Sequence, residues 1–312
     1  MQYDLFVLGD KVPVPLTSDQ FSKYDKARTR LLAIKDIEFS LDLVVENYHE
    51  FIDDLLRLST RYMFSENDIF KIKTEYFISL NRRISNYFST FYEYCEHTRK
   101  NLCRGFDRKY ADKFKGLLEK TKQDNRVFAL AYELRHSAQH LTNPVGLIRY
   151  GGSWIDQEEQ ENALLMTRII PYMQVSEFLK DKENLRTILE QLVTDNSKDC
   201  IDLRYIIAES IAGIICIHNT LMAELDNDLE EIKQIVNQLL SIPEQSMEKK
   251  SLYIRKFDNQ GKIVQSSYVS SIFIEELNIL KTKHKSLSNI DKWGFDFVVK
   301  RDEFIYKRLM VS

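Results

Sequence analysis

The stretch FISLNRRISNYFSTFYEY, residues 77–94, decides how the chain folds. Its apolar side chains recur every three or four residues, which is the spacing of one face of an α-helix. This apolar stripe consists of Phe77, Leu80, Ile84, Tyr87, Phe88, Phe91 and Tyr94. Neither Gly nor Pro occurs between about 65 and 102. We therefore expect one long helix with an aromatic face in the core.

The flanking sequence also favours helices. Thr17 followed by Gln20 is a capping-box pattern, which predicts a helix from there to about 35. Residues 36–63 repeat the helical spacing and predict a second long helix. Gly105 should end the helix that contains residues 77–94. Further helices are predicted at about 109–120, 123–141, 182–193, 199–240 and 270–284.

Four segments instead favour β-structure. Residues 3–8 predict a strand or an extended arm. Residues 145–155 predict a hairpin-like pair that turns at Gly151-Gly152. A strand is expected at 164–173, where Pro171 indicates an edge position. Residues 252–257 and 262–266, with the turn Asp258-Asn259-Gln260-Gly261 between them, predict a β-hairpin.

Composition limits the classes of protein that the chain can belong to. Its 9 Gly and 5 Pro in 312 residues favour long helices over a β-sandwich, and its net charge of -3 excludes a globally basic nucleic-acid binder. The four cysteines form no CxxC pair, so no structural zinc site is expected. Nor do we expect a cofactor or a membrane span. These features predict a cytoplasmic protein.

The simplest architecture is mainly α. It has an N-terminal arm and helix at 1–35, and a helical bundle at 36–240 with a small β insertion at about 145–175. A small α+β extension, containing the hairpin and a helix, follows at 241–312.

One segment carries residues suited to chemistry, at 132–140, YELRHSAQH. Arg135 and His140 form an R-x4-H pair, and LRHSAQHLTNPV resembles a segment of a bacterial family of HEPN-like proteins. The helix that contains Asn81, Arg82 and Arg83 resembles the NRR-x-x-N helix of that family. Glu96-His97-Thr98 also resembles a recurrent motif near the end of the same helix. The resemblance covers roughly residues 75–150.

The sequence departs from the family pattern at two points. His136 stands where Asn is usual after the arginine. The glycine that often follows the final histidine is replaced around Leu141-Thr142. The turn after the motif is therefore expected to differ.

The resemblance implies a HEPN-like bundle that cleaves RNA without a metal, as a homodimer with two motifs in one cleft. His140 would exchange protons with the ribose 2′-OH or the leaving oxygen, and Arg135 would bind the scissile phosphate. We expect His136, Glu133, Gln139, Arg82 and Arg83 to support this site or to contact RNA. A toxin, phage-defence or stress system, with an antitoxin or defence-system partner, is the setting that the resemblance implies.

Other interpretations of the same residues stay open. The site could bind RNA or a partner protein without cleaving anything, or the residues could have only surface and packing roles. His136 and His140, four residues apart, could form a metal pair, although no third ligand is placed by the sequence. Arg82 and Arg83 could lie on a solvated helix face, with one arginine paired to an acid. His218 lies in an apolar helix and is expected to be a core histidine.

Overall fold

The computed structural model describes residues 1–7, 12–64, 69–140, 143–155, 164–178, 183–192, 200–242, 251–285, 287, 293–295, 297–300 and 308–310. Within these residues the chain is mainly helical, as the sequence predicts. The helices are α1 Ser18–Phe64, α2 Ile69–Gly105, α3 Arg108–Asp124, α4 Arg126–His140, α5 Val175–Phe178, α6 Glu183–Leu192, α7 Leu203–Ser241 and α8 Ile272–Lys285.

The strands range from 3 to 11 residues, and every pairing among the described residues is antiparallel. They are β1 Gln2–Val7, β2 Val14–Leu16, β3 Leu147–Ile155, β4 Leu164–Gln174, β5 Cys200–Asp202, β6 Ser251–Phe257, β7 Ile263–Ser270, β8 Trp293–Phe295, β9 Phe297–Lys300 and β10 Arg308–Met310. One sheet has the order β2-β1-β6-β7, and in another β4 pairs with β3, β5 and β9. Strands β8 and β10 pair with each other.

The first helix begins at the predicted capping box. The backbone N–H of Gln20 donates to Thr17 Oγ1 at 3.1 Å, and the backbone N–H of Thr17 donates to Gln20 Oε1 at 2.9 Å. The two helices predicted on either side of residue 35 are, however, one helix of 47 residues. That division was wrong because neither Gly nor Pro occurs between 18 and 64 to interrupt the helix.

Helix α2 contains the aromatic stripe and ends at Gly105, as predicted. Tyr76, Leu80, Ile84, Tyr87, Phe88, Phe91 and Tyr94 are completely buried. Phe77 is only half-buried, so the stripe begins one residue earlier than the sequence suggests. The first buried ring of the stripe is thus that of Tyr76. Its hydroxyl can be buried because Tyr76 Oη donates to the carbonyl of Leu58 at 2.9 Å.

The chain divides into two compact units. Unit 1 comprises Met1–Asp42, Cys95–Gly116 and Ile217–Ser286, and unit 2 comprises Leu43–Tyr94, Leu117–Cys216 and Leu287–Ser312. The three-part division expected from the sequence stays a prediction.

Unit 1 joins segments that are far apart in sequence. Strand β1 pairs with β6 from Gln2–Phe257 to Val7–Leu252. The guanidinium of Arg255 reinforces this pairing, since it donates to both carboxylate oxygens of Asp4 at 2.8 Å. The N-terminal arm and the C-terminal hairpin therefore belong to one sheet, which local sequence patterns do not reveal.

The hairpin between β6 and β7 forms as predicted. Asp258 Oδ1 accepts hydrogen bonds from the backbone N–H groups of Gln260 and Lys262, both at 2.9 Å. Gly261 has φ +80°, a conformation that side chains with a Cβ rarely adopt. The turn residues therefore set the register of the hairpin.

Unit 2 has an aromatic core around α2, α4 and α7. The rings of Phe91 and Phe128 meet edge to face, with centroids 5.4 Å apart. Tyr87 Oη lies 2.7 Å from Ser210 Oγ, which satisfies both buried hydroxyls. Gly213 lets α7 approach α4, because a Cβ at this position would lie 2.5 Å from Phe128 Cδ2.

Two predictions about the β insertion were wrong. Gly151-Gly152 is not a turn: both glycines lie within β3 and pair with Arg168 and Thr167. Strand β4 is not an edge strand, since β3 runs along one side and β5 and β9 pair with its other side. The carbonyl of Tyr172 accepts from Gly146 on the β3 side, so the backbone of Pro171 faces the other side of β4. There the β9 pairs end at Thr167 and the β5 pairs begin at Tyr172, so the missing N–H interrupts no strand pairing.

Helix α7 is long and apolar enough to cross a membrane, judged by length and composition alone. Of its most apolar window, 56% is buried inside the structure. A core helix in a soluble protein has the same composition, so α7 gives little support for a membrane span. A cytoplasmic location stays a prediction.

Candidate functional site

The R-x4-H motif lies on helix α4 in unit 2. Asn125 caps this helix: its Oδ1 accepts from the backbone N–H groups of Val127 and Phe128 at 2.9 and 3.0 Å. The helix runs without interruption to His140. His140 follows Arg135 by five positions, so their Cα–Cβ bonds diverge by about 140° around the axis. The two residues therefore do not share a face of α4.

Of the motif side chains, those of His136, Gln139 and His140 lie outside the described residues. Their backbone positions place His136 and His140 on one face of α4, one turn apart. Glu133 is half-buried.

The side chain of Arg135 packs against an aromatic ring. Its guanidinium carbon lies 4.0 Å from the ring centroid of Tyr92 on α2. Its Nε is buried and has no hydrogen-bond partner among the described residues. No carboxylate of the described chain forms an ion pair with Arg135. A half-buried guanidinium held in place by a ring, without a counter-charge, is suited to bind an anion from outside.

The ring of Tyr92 is itself fixed by neighbours. It contacts the ring of Tyr132, with centroids 5.3 Å apart. On Tyr132 lies the ammonium of Lys122, 3.5 Å from the ring centroid. Lys122 and Arg135 thus lie on an aromatic pair. Lys122 also pairs with Glu119 Oε1 at 3.2 Å, so its charge is compensated, whereas Arg135 has no such acidic partner among the described residues.

Asn81 connects two of the segments that carry the family resemblance. Its Oδ1 accepts from the backbone N–H of Val145 at 2.9 Å, and its Nδ2 donates to the carbonyl of Phe77 at 3.0 Å. Asn81 is 7% exposed and Val145 is completely buried. This bond fixes the segment that follows the motif to helix α2.

The two neighbouring arginines on α2 have different surroundings. Arg82 is exposed. Arg83 pairs with Glu50 and, through Nε, with Asp54 Oδ2 at 3.0 Å. Burial alone would raise the pKa of Asp54, but hydrogen bonds from Ser79 and Arg83 and the charge of Arg57 hold it below its usual value. The side chain of Arg82 is therefore exposed to solvent, whereas that of Arg83 belongs to an ion-pair cluster with Glu50 and Asp54.

A second cluster of chemically reactive groups lies in the core of unit 1. Glu38 on α1, His218 on α7 and His284 on α8 are 1%, 2% and 4% exposed. Glu38 Oε2 lies 2.7 Å from His284 Nδ1 and 3.3 Å from His218 Nε2. One potential ligand atom from each residue lies within 4.8 Å of the others.

Around this triad, Asp42 contacts His284 from its other side. His284 Nε2 lies 3.2 Å from Asp42 Oδ1, which also pairs with Lys283 Nζ at 2.7 Å. Burial would raise the pKa of Glu38, but hydrogen bonds and charge from His218 and His284 outweigh it and lower the pKa to about 2. Glu38 is therefore a buried carboxylate that stays charged.

The sequence predicted one part of this cluster. The prediction that His218 is a core histidine is confirmed by its burial and its contact with Glu38. Glu38, Asp42 and His284 were missed, because their positions form no motif and only the packing of three helices brings them together. One local signal does exist: Glu38 and Asp42 are four residues apart, which places both acids on the same face of α1.

Comparison with known proteins identifies no relative: no family model, curated protein or solved structure matches the chain.

Proposed function

We propose that this chain is a metal-independent endoribonuclease of the HEPN type, active as a homodimer. The observation that supports it best is Arg135, a guanidinium stacked on Tyr92 with no acidic partner among the described residues. Structural arginines in a half-buried setting are normally paired, as Arg83 is with Asp54. Arg135, on the helix that carries the motif and without an acidic partner among the described residues, is suited to bind a phosphate of RNA.

In the proposed reaction the ribose 2′-OH attacks the adjacent phosphorus and the P–O5′ bond breaks. The 2′-OH proton passes to one imidazole, and the leaving 5′-oxygen takes a proton from another acid. His140 takes one of these roles. Arg135 neutralises the charge that gathers on the phosphate in the transition state. The products are a 2′,3′-cyclic phosphate and a 5′-hydroxyl.

The divergence of Arg135 and His140 around α4 is the reason for a two-chain site in this proposal. Two copies of α4 related by a two-fold axis would bring Arg135 of one protomer towards His140 of its partner. His136 and Gln139 would line the same cleft. The cellular setting that we propose is a toxin or phage-defence system in the cytoplasm, in which an antitoxin or a sensor controls the cleavage.

The test is cleavage of an end-labelled RNA mixture by the full chain in buffer with EDTA. We expect wild-type protein to cleave, and His140→Ala and Arg135→Ala to lose at least 100-fold in rate. His97→Ala is the matched control, since His97 is exposed on α2. Circular dichroism in the same buffer checks that every variant is folded. Cleavage at the wild-type rate by His140→Ala, or a need for divalent ions in the chemical step, would refute the proposal.

A binding module without turnover is the second candidate, and the same divergence favours it, since Arg135 and His140 occupy different faces of one α4 helix. This candidate predicts RNA binding by wild-type protein, weaker and less salt-dependent binding by Arg135→Ala, and no cleavage product. Expression in cells separates the two candidates cheaply. Growth arrest that His140→Ala relieves supports the nuclease, and unchanged growth supports binding alone.

A further inference from the structure

The buried cluster in unit 1 shares no residue with the proposed RNA site, and its side chains are of the types that bind metal ions. Glu38, His218 and His284 come from three helices that are distant in sequence, yet their side chains meet in the core. Burying a carboxylate with two imidazoles costs desolvation energy, which apolar residues at the same positions would not cost. Such a cluster therefore indicates a ligand or a specific structural need.

One of the two nitrogen–oxygen separations in the cluster equals that between ligands of a tetrahedral metal site, and the other is a hydrogen-bond length that a bound ion would widen. In tetrahedral zinc sites, ligands at about 2.0–2.1 Å from the ion lie roughly 3.3 Å from one another. His218 Nε2 is 3.3 Å from Glu38 Oε2, and His284 Nδ1 is 2.7 Å from the same oxygen. The rings of the two histidines are 6.0 Å apart and perpendicular, so their nitrogens converge on the carboxylate without stacking.

A second observation points to a cation at His284. Both ring nitrogens of His284 face carboxylate oxygens, Glu38 on one side and Asp42 on the other. A neutral imidazole has only one N–H, so it cannot donate to both. Either a second proton or a metal ion at Nδ1 is needed to make both contacts favourable. Histidines that bind metals typically donate their other N–H to a carboxylate, and Asp42 stands in that position.

We propose that Glu38, His218 and His284 bind one divalent transition-metal ion, best matched by Zn²⁺, and that Asp42 orients His284 from behind. Two imidazoles and a carboxylate form a ligand set typical of zinc and other first-row metals. Mg²⁺ and Ca²⁺ prefer oxygen ligands and do not suit it. Since all three ligands are buried, the ion would stabilise unit 1 by joining α1, α7 and α8, without reaching a substrate. This position was not expected from the sequence, since Glu38, His218 and His284 form no motif along the chain.

The first test measures the metal directly in tag-free full-length protein. After growth with added Zn²⁺ and dialysis, elemental analysis should find about one zinc per chain. Chelator-treated protein should take up one Zn²⁺ by calorimetric titration, with a rise of several degrees in melting temperature, and Mg²⁺ should produce neither effect. These readouts do not depend on RNA cleavage, so failure of the metal site and failure of the nuclease are distinguishable.

Variants then assign the ligands. His284→Ala and Glu38→Gln should lose the bound zinc, and Asp42→Asn should keep one site while its affinity falls about 10–100-fold. His97→Ala, an exposed histidine of the same unit, should bind as the wild type does.

The alternative, a proton shared with a histidine between two carboxylates, predicts a different outcome. Chelator-treated wild-type protein would then take up no Zn²⁺ and melt at the same temperature with or without it, which would overturn the proposal. Zinc uptake that Glu38→Gln and His218→Ala leave unchanged would overturn it as well. Because the wild-type measurement is decisive by itself, a variant that fails to fold does not weaken the test.

Discussion

The guanidinium carbon of Arg135 lies 4.0 Å from the centroid of the Tyr92 ring, a distance suited to a cation–π interaction. Tyr92→Leu should remove the cation–π interaction, which contributes about 1 kcal/mol at a partly buried position. We expect RNA cleavage, or binding if the chain only binds, to fall roughly fivefold. Tyr92→Phe keeps the ring and should behave as the wild type. Equal loss in both variants would show that the hydroxyl, and not the ring face, is what matters.

Asn81 gives a second prediction, on stability. Asn81→Ala should lower the free energy of unfolding by about 1–3 kcal/mol, because it leaves the buried N–H of Val145 without its acceptor. Urea denaturation monitored by circular dichroism measures this. Asn86→Ala, at an exposed position of the same helix, is the control and should change stability by less than about 0.5 kcal/mol. If the two variants unfold at the same urea concentration, the bond to Val145 contributes nothing.

Gly213 gives a third prediction, because two glycines within helices differ in their surroundings. Gly213→Ala should destabilise the protein by about 1–3 kcal/mol, since the new Cβ would overlap the ring of Phe128. Gly116→Ala has no atom of the described chain within 4 Å and should stabilise α3 by up to about 1 kcal/mol. The double variant Gly213→Ala with Phe128→Leu should recover part of the loss. Thermal melting compares all three, and a stabilising Gly213→Ala would contradict the close approach of α7 to α4.

Acid should weaken the fold through Glu38. The pKa of Glu38 is lowered from 4.5 to about 2 in the folded chain. A carboxylate with a lowered pKa stabilises the folded state above about pH 4.5, and this stabilisation is lost as the pH falls towards 2. Glu38 should therefore contribute up to roughly 3 kcal/mol near neutral pH.

The matched comparison is wild type against Glu38→Gln, both treated with a chelator so that metal does not contribute. The difference in their unfolding free energies should be largest near neutral pH and shrink between pH 4.5 and 2. A difference that does not vary over this range would mean that the charge on Glu38 is irrelevant to stability.

Local sequence patterns correctly predicted the elements that are fixed by hydrogen bonds between residues close in sequence. Thr17 and Gln20 cap α1 through bonds between near neighbours, and Asp258 with Gly261 forms a turn of five residues. The same patterns failed at Gly151-Gly152, where glycines normally typical of turns lie inside a strand. There, pairing with β4 along nine residues decides the structure, and no local signal encodes it.

The two candidate sites also differ in whether a sequence pattern reveals them. Arg135 and His140 are recognisable because they are close in sequence, but the contact of Arg135 with Tyr92 depends on how α4 packs against α2. Glu38, His218 and His284 have no pattern at all, since α1, α7 and α8 contribute one residue each. A site built from single residues of separate helices can be found only once the packing is known.

The pairing of β1 with β6 has a consequence for folding during synthesis on the ribosome. Strand β1 can pair with β2 early, but its other neighbour in the sheet, β6, is made roughly 250 residues later. At about 5–20 residues per second, a ribosome needs roughly 13 to 50 s to supply that partner. Throughout this interval the side of β1 that pairs with β6 has no strand partner, and a nascent-chain chaperone would have time to bind the segment with its apolar side chains Leu5 and Val7. Unit 1 therefore cannot be completed while most of the chain is still unmade.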